Sequence, residues 1–227
     1  MTTNYLKWTE GNSKLTSTSG ASSYRILGYG IPADYNFERD GYRMNTCPSA
    51  LACRGVCYAK QGRYTMPNVA AARRHNLDAY LADRDAFIAG AIADLAKYAT
   101  RYNVVRVHDS GDFFAQDYLD AWAMIARAHP GVIFYAYTKS LDLNFAGIPS
   151  NLRITQSVGG KHDALIDPDF SHARIFADTE EAIATMVADG YVDGSESDVP
   201  AIEGLVRIGL VYHGTRKMTE SQKLYFS

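Results

Sequence analysis

Short β-branched and aromatic runs alternate along the chain with longer stretches of helical periodicity. Tyr24-Arg-Ile-Leu-Gly-Tyr-Gly-Ile31 is a run of β-formers closed by Pro32 and reads as a first strand. From Pro67 to Ala99 the apolar positions Val69, Ala72, Leu77, Leu81, Ile88, Ile92 and Leu95 recur at helical spacing, and Pro67 suits a first helical position. The stretch is long enough for two helices with a break near residues 83–85. Asn103-Val-Val-Arg-Val-His108 reads as the next strand. Residues 117–129 then place Tyr118, Leu119, Trp122, Ile125 and Ala126 on one helical face, with Asp117 as a candidate N-cap. Strands are expected at 131–137, 152–155, 173–177 and 205–212. A helix is expected at 180–188, with Asp178 and Glu181 as its capping box.

Strands separated by helices predict a parallel sheet in a single α/β domain spanning residues 1–227. Residues 1–23, rich in Ser, Thr, Asn and Gly, read as an irregular arm. Residues 33–46 read as a loop, 189–201 as an acidic surface loop, and the chain from 216 as a polar tail.

Strand after strand stops in small, polar or ionisable residues. These are His108-Asp-Ser-Gly-Asp112, Tyr137-Thr-Lys-Ser140, Ser157-Val-Gly-Gly160, Asp178-Thr179 and His213-Gly-Thr215. In parallel α/β barrels the C-terminal strand ends share one face and carry the active site, so a sheet that curls brings the five clusters together.

The chemistry concentrates in Cys47-Pro-Ser-Ala-Leu-Ala-Cys53-Arg-Gly-Val-Cys57, which holds all three cysteines of the chain. Pro48, Gly55 and Gly62 keep this region from forming a regular helix, so the thiols lie on a loop. Four readings stand side by side: three packed free thiols, a zinc site completed by a distant His75 or His108, one catalytic thiol, or an iron–sulfur cluster held by three thiolates. The odd cysteine count argues against a disulfide framework. A four-iron cluster on three thiolates leaves one iron open, and His108 is a candidate fourth ligand.

The net charge of −2 and pI of about 6.3 do not indicate a general nucleic-acid-binding surface. Residues 54–74 are locally basic through Arg54, Lys60, Arg63, Arg73 and Arg74. That charge suits neutralisation of a thiolate-bound cluster, with His75 on a solvated helix face. His129, His162 and His172 are expected in surface turns. No apolar run reaches membrane-spanning length and no signal-peptide pattern opens the chain, so a cytoplasmic protein is expected.

The three-cysteine loop after a first strand, followed by Tyr58-Ala59 and a six-fold strand–helix pattern, resembles the radical S-adenosylmethionine (SAM) superfamily. That resemblance implies a partial (β/α)6 TIM-like barrel with a [4Fe-4S] cluster on Cys47, Cys53 and Cys57. It also implies SAM held by Ser110, Gly111 and Asp112 and by Ser157, Gly159 and Gly160. Asp109 and Lys139 are the candidate catalytic groups. The cysteine spacing departs from the superfamily's usual three and two intervening residues, with five and three here.

The combination of Cys-Pro…Cys…Cys-Tyr-Ala, Arg106-Val-His-Asp-Ser-Gly-Asp-Phe113, Phe134-Tyr-Ala-Tyr-Thr-Lys-Ser140 and Ser157-Val-Gly-Gly160 is more closely similar to the bacteriophage "gene product eighty-eight" family. The expected protein is then a cluster-binding, radical-SAM-like enzyme of the host cytoplasm acting on a small molecule and fed by an electron-donor protein. A non-SAM iron–sulfur protein and a zinc hydrolase or zinc-stabilised module are the alternatives.

Overall fold

A computed structural model describes residues 4–20, 22–212 and 219. In chain order the elements are α1 (Ser13–Gly20), β1 (Ile26–Tyr29), β2 (Asn36–Arg39), β3 (Tyr42–Asn45), α2 (Cys53–Val56), α3 (Pro67–Ala82), α4 (Arg84–Tyr98), β4 (Val104–Val107), α5 (Gln116–Ala128), β5 (Ile133–Thr138), β6 (Leu152–Ser157), β7 (His172–Phe176), α6 (Glu180–Ala188), β8 (Val192–Asp193), α7 (Val199–Glu203) and β9 (Arg207–Val211). Seven strands form one sheet in the order β1-β4-β5-β6-β7-β9-β8, every pair is parallel, and the sheet curls into a half-barrel. The six expected strands are all in it. β2 and β3 form a separate antiparallel hairpin.

Side chains on successive strand residues leave opposite faces, and both faces are covered. Val105, Val107, Phe134 and Ala136 pack with Leu77 of α3, Phe87 of α4 and Trp122 of α5. Ile26, Val104, Tyr135, Ala173 and Ile208 pack with Leu15 of α1 and Ala201 and Ile202 of α7. This explains why β1 and β4 are buried along their whole length.

Several boundaries are set by contacts that no local pattern carries. The expected irregular arm contains α1, a helix of hydroxyl-bearing and β-branched residues with weak intrinsic preference. Asn12 Oδ1 accepts the Leu15 N–H at 2.9 Å, and burial of Leu15 and Thr18 holds the helix in place. The expected loop at 33–46 is the β2–β3 hairpin. The expected loop at 189–201 contains β8 and the start of α7. The N-cap of α4 is Asp83, which accepts the N–H groups of Asp85 and Ala86, so the long helical stretch breaks where expected. Asp117 does not cap α5, which begins at Gln116 after extended Ala115; Asp117 sits in the first turn and pairs with Arg39. Thr179, not Asp178, caps α6 and accepts the Ala182 N–H. His172 opens β7 and is buried rather than lying in a surface turn, with Nδ1 2.9 Å from the Phe170 carbonyl. His213-Gly-Thr215 and the tail from 216 lie outside the described residues, apart from Thr219.

One ionic cluster fastens α1 and α7 to the sheet. Asp198, fully buried just before α7, accepts Arg106 Nη1 at 2.8 Å, Lys14 Nζ at 3.0 Å and Tyr135 Oη at 2.7 Å, and its own N–H donates to Thr18 Oγ1 at 2.9 Å. Burial pushes its carboxyl pKa up, but the charges of Arg106 and Lys14 outweigh this and hold it below the ordinary range. Removing one member of a buried pair strands the others. Asp198→Asn should therefore lower unfolding stability by about 3–5 kcal/mol in urea titration. A loss under about 1 kcal/mol, the size of an exposed pair, would show the cluster to be energetically idle.

Candidate functional site

The cysteine loop, in which Cys53 opens the single-turn helix α2 instead of lying on irregular chain as expected, is positioned from three sides. The β2–β3 hairpin brings its two ends together. Asp34, before it, donates its N–H to Cys47 Sγ at 3.3 Å, and Tyr35 and Thr46 exchange backbone and side-chain hydrogen bonds at 2.9 and 3.0 Å. The Thr46 hydroxyl donates to the Pro32 carbonyl at 2.6 Å, so the chain entering the loop is tied to the chain leaving β1. On the second side Ala50 bridges Gly160, the Ala52 N–H donates to the Gly159 carbonyl at 3.2 Å, and the Lys161 N–H donates to the Ser49 carbonyl at 2.9 Å. The loop thus lies backbone to backbone along the segment that follows β6.

On the third side are tyrosines. Tyr58, next to Cys57, donates its hydroxyl to the Asp109 carbonyl, and Tyr64 reaches the same carbonyl at 3.4 Å. Their rings meet edge to face at 5.4 Å, and the Arg73 guanidinium lies 4.5 Å from the Tyr64 ring centre.

All three thiols are free and half-buried, and they lie near enough to one another for the neighbours to raise the pKa of Cys47 and Cys57. Burial first, then the nearby Asp112 charge and the other two thiols, push Cys47 up to about 12. Cys57 is raised mainly by burial. These two are thiols at neutral pH, which disfavours a nucleophilic role for them. It suits a site whose thiolates form when a metal cation compensates their charge. Among the described residues no three His, Cys, Asp or Glu side chains converge to hold a single metal ion. Such a closed set is what a zinc site needs. The Asp34 N–H on Cys47 Sγ and an Ala59 N–H on the Cys57 thiol are hydrogen bonds of the kind that stabilise ligating sulfur.

Of the five strand-end clusters, those after β4, β5 and β6 come together, and their polar groups are engaged in joining strand to strand. Asp112 accepts the Phe113 N–H at 2.7 Å, the Thr138 hydroxyl at 2.6 Å and the Lys139 N–H at 2.9 Å, and its own N–H donates to the Thr46 carbonyl at 2.9 Å. Burial raises its pKa to about 6, against those hydrogen bonds. Ser110 accepts from Arg73 Nε at 2.6 Å and donates to the Ile31 carbonyl at 2.7 Å. Gly111 has φ +82°, and a Cβ there would lie 2.3 Å from Ile31 Cγ1. The Asp109 carboxylate, 1% exposed, pairs with Arg73 at 2.7 Å. It also occupies the space where a Cβ on Gly30 would be. Lys139 turns its ammonium onto Ser157 and the Val158 carbonyl. Gly159 and Gly160 donate their N–H groups to Asp163.

His108 lies apart from this engagement. Its ring packs among Phe113, Tyr118, Tyr29 and Trp122, with centroids 4.7, 5.5, 6.2 and 6.4 Å away, and Nε2 is 3.1 Å from the Tyr118 hydroxyl. The backbone explains the placement: φ is +66°, so the side chain leaves the strand alternation and enters the aromatic core.

Two participants take roles that the sequence did not indicate. Arg73, expected to lend positive charge to the cysteine loop, instead links α3 to Asp109 and Ser110. His75 does lie exposed, with Nε2 2.8 Å from the Tyr5 carbonyl. Asp34 stands thirteen residues before the first cysteine, and only the hairpin between them makes the two neighbours.

A parallel half-barrel that gathers all its cysteines on a loop docked at the C-terminal strand ends is the class that fold and site define. The chain belongs to the gene product 88 family, whose model matches residues 6–223. It is similar to the Gene 88 protein of Mycobacterium phage D29, 28% identical over 196 residues that cover 76% of this chain and 75% of the relative. It is equally similar to that of Mycobacterium phage L5, 28% identical over 196 residues covering 76% of each. No solved structure matches. No described helix is long and apolar enough to cross a membrane.

The His108 placement has a pH signature. Burial lowers its pKa to about 3, so its contribution is fully present above the unfolded value of 6.5 and is lost as pH falls toward 3. Asp112 works in the opposite sense: its raised pKa gives stability below 3.8 that is lost as pH rises through about 6. Comparing wild type with His108→Asn cancels the Asp112 contribution. Between pH 6.5 and 4.5 wild type should lose about 2–3 kcal/mol more than the variant in urea titrations. Equal losses would place the imidazole in contact with water.

Proposed function

We propose that this chain is an iron–sulfur protein holding a four-iron, four-sulfur cluster on Cys47, Cys53 and Cys57. The observation that carries the reading is the loop itself: every thiol of the chain lies half-buried on it, and its backbone is fastened to the segments that follow β1, β4 and β6. Three thiols on one segment supply the three protein ligands on which a cluster can rest with one iron open, whereas a structural zinc ion takes four. Bound there, a cluster supplies one-electron transfer. The chain's residues supply the rest. Asp34 and Ala59 donate N–H groups to ligand sulfur, Arg54 and Lys60 bring positive charge, and Tyr58 with Tyr64 ties the loop to the end of β4. In this reading the partner is a host electron donor and the compartment the reducing host cytoplasm.

SAM chemistry is the finer possibility inside this reading. Ser110, Asp112 and Ser157 would position the cofactor only by giving up hydrogen bonds that join strand ends, so the reading favours the cluster over the SAM step.

Protein purified without oxygen should be brown, with iron and acid-labile sulfide each at about four per chain. Cys53→Ala should lose most of both. A colourless zinc-loaded protein, or full iron and sulfide in the variant, contradicts the ligand set. Incubation with SAM and a strong reductant separates the uses: 5′-deoxyadenosine marks a radical enzyme, and its absence beside a reducible cluster marks an electron-transfer or regulatory protein.

A further inference from the structure

The net charge of −2 hides an uneven distribution. Between Asp40 and Asp78 the chain has no carboxylate side chain, while Arg43, Arg54, Lys60, Arg63, Arg73 and Arg74 all fall in that interval. Carboxylates from elsewhere balance part of this charge. Arg73 pairs with Asp109, Arg74 with Asp78, and Arg54 and Lys60 share Asp34. Arg63 is exposed and forms no ion pair among the described residues. Lys161 is exposed as well, and its ammonium meets only a carbonyl, that of Pro48 at 2.6 Å.

Apolar side chains stand exposed among these cations. Leu51, between Cys47 and Cys53, is 54% exposed, and Met66 is 49% exposed. The loop itself fixes the charges around Leu51. The Arg54 N–H donates to the Leu51 carbonyl at 3.3 Å and its guanidinium to the Cys47 carbonyl at 3.4 Å, while Lys161 holds the next carbonyl along. On the Cys57 side, Gln61 donates its side-chain amide to the Cys57 carbonyl at 3.1 Å, which anchors the turn carrying Arg63. The Met66 N–H closes that turn on the Arg63 carbonyl at 3.1 Å. Apolar groups inside a charged rim are the anatomy of a protein–protein interface. Nucleic acid is held through phosphates and stacked bases, and it gives an exposed leucine and methionine nothing to do.

We propose that this outer face of the cysteine loop, with Leu51 between Arg54 and Lys161 and Met66 beside Arg63, is the docking site of an acidic one-electron carrier protein. This rests on the cluster reading above, and it names the surface and charge that the electron donor recognises. The half-buried thiols lie on the same loop, so a docked carrier stands next to the cluster. The reduced carrier gives up one electron and the cluster takes it, with no bond made or broken. Redox encounters of this kind bury little area and depend on charge steering for their rate.

The test loads wild type, Arg63→Glu, Arg63→Lys, Lys161→Glu and Leu51→Ser with iron and sulfide under anaerobic conditions. Cluster bleaching is followed by stopped flow with two reductants: reduced flavodoxin, an acidic carrier protein, and dithionite, which needs no docking. The wild-type rate with flavodoxin should fall at least about tenfold between about 0.01 M and about 1 M salt, as the screening length shrinks from about 30 Å to about 3 Å. Arg63→Glu and Lys161→Glu should each lower the low-salt rate about tenfold and flatten its salt dependence, and Arg63→Lys should restore wild-type behaviour. Leu51→Ser should slow the reaction at every salt concentration. All five proteins should hold equal iron and react alike with dithionite. A wild-type rate indifferent to salt, or charge reversals that leave the flavodoxin rate unchanged, would overturn the docking site. So would equal slowing with dithionite, which makes these residues supports of the cluster instead. Labelled single-stranded DNA that binds wild type and is lost from the charge reversals, with flavodoxin rates unchanged, would make the face a nucleic-acid surface. A wild type that takes up no iron and sulfide removes the cluster reading and this inference with it, a result distinct from a loaded wild type whose variants all react alike.

Discussion

The arrangement of this site depends on one buried carboxylate. Asp112 draws the end of β5 toward the turn after β4 through Thr138 and Lys139, and its backbone N–H holds Thr46 at the entrance to the cysteine loop. Burial raises its pKa from 3.8 to about 6 even though three hydrogen bonds favour the ionised form. Without this bracket the entrance to the cysteine loop loses its backbone tie to the β4 side, where Tyr58 and Tyr64 on the Asp109 carbonyl hold the far end of the loop. A second carboxylate, Asp198, does the corresponding work on the opposite face of the sheet, where it fastens α1 and α7 through Lys14, Arg106 and Tyr135.

The two acids explain why the polar strand ends are polar. In a parallel sheet the residues after each strand must turn the chain and satisfy backbone groups that leave the ladder. Lys139 does this for the Val158 carbonyl, and Asp163 for the N–H groups of Gly159 and Gly160. Gly30 and Gly111 belong to the same logic. Asp109 stands where a Cβ on Gly30 would be, and Gly111 combines left-handed backbone with contact against Ile31. The face is therefore a knitted platform on which the cysteine loop rests.

Much of this was legible in the sequence. The strand–helix alternation read correctly as a parallel sheet because β-branched and aromatic runs are separated by helical stretches, with β1 and β4 buried along their whole length. The break at Asp83 was readable because a capping aspartate marks it locally. The convergence of the β4, β5 and β6 ends on the cysteine loop also followed from topology. What was not legible depends on distant partners. α1 has poor local preference and exists by packing. Asp198 sits in an acidic stretch that looks solvated, yet pairs with residues more than ninety positions away. Arg73 resembles its exposed neighbour Arg74 and differs only in facing Asp109. His108 follows a strand whose alternation would point it elsewhere, and a single positive φ redirects it. Asp34 becomes a neighbour of Cys47 only through a hairpin that the sequence presents as a loop.

The central claim is that the three cysteines share one cluster. A crystal structure of protein prepared without oxygen, with diffraction collected on both sides of the iron absorption edge, tests it directly. The account predicts anomalous iron density at the C-terminal edge of the half-barrel within bonding distance of Cys47, Cys53 and Cys57 Sγ together. Three unligated thiols, or anomalous density at the zinc edge alone, would contradict it.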